Sequence, residues 1–124
     1  MRLLLDTHTY LWARHSPNRL TTSQREAIID PGNDVLVSAV VVAELAIKSS
    51  VGELHGVEPF LADPTAGGTY TDLPLTSGHA ALLRELPFHH RDPFDRMLIA
   101  QTISEGGTLV TVDQAIAQYD VPVL

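Results

Sequence analysis

The sequence contains no cysteine, which excludes disulfides and thiolate-bound metal and suits a reducing compartment. Basic residues are scarce: eight Lys and Arg stand against fifteen Asp and Glu, a formal net charge of −7. This argues against gripping nucleic acid by bulk positive potential, although it does not exclude a local basic rim. No apolar run approaches the roughly 18 residues of a membrane span, and the N-terminal "LLL" is broken by Asp6, too short for a signal-peptide core. The cytoplasm is the expected location, with no membrane partner. Signatures of several chemistries are also missing. No GxGxxG or Walker A pattern follows a candidate strand, and no GxSxG elbow occurs. "DTH" at 6–8 lacks the second aspartate of an aspartyl-phosphate DxD site. Internal repeats, low-complexity segments and linkers are absent as well.

What remains is 124 residues of ordinary globular composition, 44% hydrophobic and 19% charged, enough for one domain spanning 1–124 with a proper core. "RLLLD" (2–6) and "DVLVS" (34–38) read as strands buried on both faces, and "TLVTVD" (108–113) as another. "YTDLPL" (70–75) is a weaker strand whose Pro74 suggests an end or an edge, and "VPVL" is a terminal strand. Helices are expected over 7–15, 21–30, 39–50, 76–86 and 92–106, with short helices in "VEPFLADP" and "QAIAQY". Ser38 can cap the 39–50 helix, and Gly106-Gly107 stops the last long one. Strands alternating with helices predict a three-layer α/β/α sandwich with a mostly parallel central sheet.

Ligands of open parallel sheets bind outside the carboxyl ends of the strands, so acids that terminate strands carry most weight. Asp6 closes "LLLD" and Asp113 closes "LVTVD"; each suits a helix cap or a site. Glu44 is the only charge in "AVVVAELAI" (39–47) and needs water, a partner or a cation. An i,i+4 pair with Lys48 is the plainer alternative. In "HHRDPFDRMLIAQ" (89–101), Asp92 reads as an N-cap before Pro93 at N1, with Asp95 at N3 completing an acidic capping box. The two aspartates are also close enough to share a site. His89-His90 reads as solvated surface in preference to a transition-metal pair. Arg91 and Arg96 either hold a phosphate or balance the acids.

The stretches "LLLDTHTYLW", "VSAVVVAELAIKSSVGEL", "HRDPFDRMLIAQ" and "LVTVDQAIAQYDVPVL" together resemble the PIN-domain family, in particular the VapC-type toxins of bacterial and archaeal toxin–antitoxin systems. The resemblance implies a PIN-like fold and a Mg2+- or Mn2+-dependent endoribonuclease whose acids gather at the carboxyl edge of the sheet. Carried over, the four family acids fall on Asp6, Glu44, Asp95 and Asp113, as catalytic and metal-binding residues. Asp95 takes the third place because it directly precedes the "LIA"-like run. Asp92 becomes the cap and a secondary, water-mediated ligand, and Thr111 matches a hydroxyl that orients the site. Arg91, Arg96 and Lys48 are the candidates for meeting substrate phosphates. The implied partners are an RNA substrate, a VapB-type antitoxin and a second copy of the chain in a homodimer. Two departures, Val112 at a position often polar and an end directly after "VPVL", leave the four acids untouched. The same acids leave two alternatives: a catalytically silent RNA- or protein-binding module on this fold, and a phosphate-ester hydrolase of small substrates.

Overall fold

The computed structural model describes all residues, 1–124. Its centre is a four-stranded sheet of β1 (Arg2–Leu5), β2 (Asp34–Ser38), β3 (Tyr70–Leu73) and β4 (Thr108–Val110), in the order β3-β2-β1-β4. Every pairing is parallel: Leu4 faces Leu36 across one ladder and Leu109 across the other, and Ser38 faces Leu73. Consecutive strand residues point to opposite faces, yet Leu3, Leu4 and Leu5 are all 0% exposed and Val35, Leu36 and Val37 are at most 1%. Both faces are therefore covered, as parallel strands joined by helical crossovers require. The helices are α1 (Thr7–His15), α2 (Thr22–Ile29), α3 (Ala39–Ser50), α4 (Glu58–Ala62), α5 (Ser77–Ala81) and α6 (Pro93–Glu105), giving the expected three-layer sandwich.

The strand order positions the site. From β1 the chain steps outward to β2 and β3, then returns to place β4 on the other side of β1. The reversal makes a crevice between the carboxyl ends of β1 and β4, where open α/β sheets bind ligands. Asp6 sits at that edge, its N–H donating to the Val110 carbonyl at 3.2 Å.

Several expectations change. β4 is three residues long, not six, and ends at Val110, so Asp113 lies in the loop beyond the strand. Thr111 N–H leaves the neighbouring strand and donates to the Leu124 carbonyl at 3.2 Å. The terminal "VPVL" contributes one parallel bridge, Leu109 to Val123, instead of a full strand. Gln24 anchors it, its Nε2 donating to the Thr111 and Leu124 carbonyls. The 76–86 segment divides into α5 and a 3₁₀ turn over Leu82–Glu85. Within the segment His79 and Leu86 are buried and Ala80 is exposed. β3 is an edge strand, and Pro74 follows its last residue.

Candidate metal centre

Local capping chemistry aims the acids. Asp6 ends β1 and caps α1, its Oδ1 accepting from Thr9 N–H at 2.9 Å. The Thr9 hydroxyl lies 2.8 Å from the same oxygen and 2.9 Å from the Val110 carbonyl, tying the cap to β4. Asp6 Oδ2 takes no hydrogen bond and is left for a ligand. Cap and site, which looked like alternatives for this residue, are one arrangement.

Ser38 caps α3, accepting from Val40 N–H at 2.9 Å and so setting the phase that turns Glu44 inward. Glu44 is 6% exposed. The Thr7 hydroxyl donates to its Oε1 at 2.6 Å and Lys48 Nζ donates to its Oε2 at 2.6 Å. The i,i+4 pair exists, but at a buried carboxylate, where a charge-assisted bond is far stronger than on a surface. Its hydrogen bond to Glu44 raises the Lys48 pKa above the usual lysine value, outweighing partial burial.

Asp92 caps α6, accepting from Phe94 N–H at 2.8 Å and Asp95 N–H at 3.2 Å, with Pro93 in the first turn. The capping box is not closed. Asp92 N–H donates to His90 Nδ1 at 3.2 Å, so the Asp95 carboxylate is spared that duty and turns to the other acids. Asp113 is held in a tight loop, its N–H donating to Thr111 Oγ1 at 3.0 Å and its Oδ1 accepting from Ala115 N–H at 2.9 Å.

These segments converge on a cavity of about 370 Å³ lined by Asp6, Thr7, His8, Glu44, Lys48, His90, Asp92, Asp95, Val112 and Asp113. The four predicted acids, Asp92 and Lys48 thus meet in one place. Thr111 does not line it and acts through the Asp113 backbone. Neither Arg91 nor Arg96 reaches it. Arg96 is 8% exposed, stacks on Phe88 at 4.4 Å and donates to the Tyr119 hydroxyl and the Pro87, Leu83 and Leu86 carbonyls. A guanidinium so engaged pins the 83–88 segment and is closed to a phosphate, which corrects the sequence expectation for it. Arg91 is exposed on the neighbouring face, beside Phe88 and Pro93.

Sequence reasoning missed His90, Thr7 and His8. His89 is exposed, edge-on to Tyr119, as expected of surface, but His90 is half-buried. Its Nε2 lies 2.9 Å from Asp95 Oδ2 and 3.4 Å from Asp113 Oδ2. Because Nδ1 accepts from Asp92, the proton of the neutral ring sits on Nε2, facing both carboxylates. One ligand atom each from His90, Asp95 and Asp113 lies within 4.8 Å of the others. With the ring proton on Nε2, carboxylate oxygens are the available donors of this cluster, and the His90 N–H faces them. The only sequence signal was proximity: His90 stands two residues before the α6 cap.

The electrostatics suit a cation. The Asp95 pKa is pushed up to about 6, first by burial, then by the charge of Asp92, with His90 opposing and Glu44 and Asp6 adding to the rise. A carboxylate that resists ionisation among four other acids fits a hard divalent ion, which prefers oxygen donors and offsets that repulsion.

Comparisons with known proteins agree with this fold. VapBC2 from Rickettsia felis, bound to a DNA fragment from their promoter, contains a similar chain: TM-score 0.75, 16% identity, covering 100% of this chain and 98% of that one. VapBC-1 from nontypeable Haemophilus influenzae matches with a TM-score of 0.66 at 19% identity, over 100% and 97% of the two chains. FitAcB from Neisseria gonorrhoeae matches with a TM-score of 0.66 at 20% identity, over 98% and 96%. At such identities the likeness is one of fold. No curated protein matches the sequence. A family model described as PIN domain matches residues 3–122, nearly the whole chain, and the protein therefore belongs to the PIN domain family.

Proposed function

We propose that this protein is a divalent-cation-dependent endoribonuclease, the VapC-type toxin of a toxin–antitoxin pair. One observation carries the reading: Asp6, Glu44, Asp95 and Asp113, from four separate segments, line a single cavity at the carboxyl edge of the sheet. Asp6, Asp95 and Asp113 would hold Mg2+ or Mn2+ directly, and Glu44 would complete the set on release from Lys48. When bound, such a cation activates water for in-line attack on phosphorus and offsets charge on the phosphate.

The chain's own residues do the rest. Thr7 and Lys48 hold Glu44 in one orientation. Lys48 is the cation at the pocket rim, placed to draw a phosphate toward the acids. His90 keeps a proton beside Asp95 and Asp113, limiting their repulsion when no cation is present. The Asp92 cap fixes the direction of α6 and with it Asp95.

Membership of the PIN domain family supports nuclease chemistry, and the matched chains of VapBC and FitAcB support a VapB-type antitoxin as partner. No helix is long and apolar enough to cross a membrane. A homodimer is the assembly we favour, supported by Ile47 and Val51, exposed at 51% and 64% one turn apart at the end of α3. The test is cleavage of single-stranded RNA with Mg2+ or Mn2+ by the purified protein and by Asp95→Asn prepared identically. Cleavage by the first alone is expected; equal cleavage by both would signal contamination and remove the assignment.

A further inference from the structure

The exposed face of α1 carries an arrangement that cleavage at the acids leaves unused. His8 lines the acid pocket and is exposed. One turn along, the Trp12 ring lies nearly parallel to it, with centroids 6.0 Å apart and planes 28° apart. Trp12 in turn lines a second groove of about 570 Å³ and carries the Arg19 guanidinium 4.7 Å above its ring. His8, Trp12 and Arg19 thus form a continuous π and cationic path from the acids into the groove.

The charges around this path are one-sided. The groove is lined by Arg14, His15, Arg19 and His55 and by no Asp or Glu, in a chain where acids outnumber bases fifteen to eight. Arg14 is already engaged, donating to the Tyr10 hydroxyl and the Asp63 carbonyl. Arg19 is exposed and takes part in none of the salt bridges, so its only partner is the Trp12 face. A free guanidinium over a half-buried indole that still lines the groove can pass from ring to phosphate while a base takes up the ring.

From this juxtaposition we infer that His8, Trp12 and Arg19 form a subsite for single-stranded RNA, holding nucleotides that flank the phosphodiester at the acid pocket. Bases stack on His8 and Trp12, and Arg19 meets the backbone between them. Stacking of this kind accepts any base, because each has a π face, and it rejects a duplex, whose bases are already stacked. The inference rests on the nuclease reading for its occupant.

Trp12 is the only tryptophan, so its fluorescence reports the subsite directly. An oligoribonucleotide of about 12 nucleotides is titrated into the Asp95→Asn protein with magnesium, following Trp12 emission and oligonucleotide anisotropy together. The expected result is a saturable quench that tracks anisotropy, weakens with salt, and is absent with the duplex form. Arg19→Ala in the same background lowers affinity about tenfold, and Trp12→Phe retains more of it than Trp12→Ala. Binding without a quench, equal quenching by duplex, unchanged affinity of Arg19→Ala, or no binding at all would overturn the subsite. A Trp12 response confined to a protein partner would overturn it too. The two readings fail separately. Metal-dependent cleavage that Asp95→Asn lacks, with Trp12 silent, removes only the subsite; an Arg19-dependent quench without cleavage by the wild type removes only the catalyst.

Discussion

Asp92 and Asp95 stand three residues apart on the same turn and do different work. Asp92 accepts two backbone N–H groups, whereas Asp95 accepts none and faces the other acids. Asp92→Ala is expected to cost about 1 kcal/mol of stability through loss of the cap, read as a lowered midpoint in denaturant. Asp95→Asn is expected to abolish the proposed cleavage and to have the opposite effect on the stability of the metal-free fold. The raised pKa means the native state holds the Asp95 proton up to about pH 6, well above the ordinary carboxylate value of 3.8. Its stabilising contribution is complete below the unfolded value and is lost as pH rises through 6. Metal-free wild type should therefore lose stability relative to Asp95→Asn between pH 4 and pH 7, in thermal melts with chelator. Identical pH profiles would show that Asp95 carries no such strain. The division between the two residues was partly legible: Asp92-Pro93 announces a cap, and the apolar run after Asp95 announces the site. The vacated box was not, because it depends on His90 Nδ1 reaching the Asp92 amide, a contact no helix pattern encodes.

At the scale of elements, the site is as firm as the ends that present it. α6 stops at Gly106 with φ 64°, and Gly107 then passes so close to β1 that a Cβ would lie 3.0 Å from the Arg2 carbonyl oxygen. Gly106→Ala is expected to lose about 1 kcal/mol through the left-handed backbone alone. Gly107→Val should cost more, since it pushes the start of β4 from Arg2 at the amino end of β1, the edge of the sheet opposite the acids. Calorimetric unfolding measures both, and a Gly107→Val melting point equal to wild type would contradict the contact. The long buried strands and α1, α3 and α6 were readable because apolar runs, caps and glycines agree there. β4 was overestimated because Thr111-Val112-Asp113 continues the strand-like alternation while Thr111 N–H bonds to Leu124 instead. The 76–86 segment was read as one helix because its apolar residues keep helical spacing past Ala81, where the backbone tightens to a 3₁₀ turn instead.

For the molecule as a whole, a net charge of −7 is compatible with the proposed RNA substrate only if the acids are neutralised where the phosphate arrives. That places cation binding at the centre of the account. The most direct measurement is a manganese titration of the metal-free protein by calorimetry at pH 7 and pH 5, beside Asp95→Asn. Binding is expected at pH 7, weakened about tenfold at pH 5 because the proton held by Asp95 up to about pH 6 must first be displaced. Asp95→Asn should bind weakly and with little pH dependence. No binding heat in the wild type at pH 7, or affinity equal in Asp95→Asn, would contradict the assignment of these four acids as a metal centre.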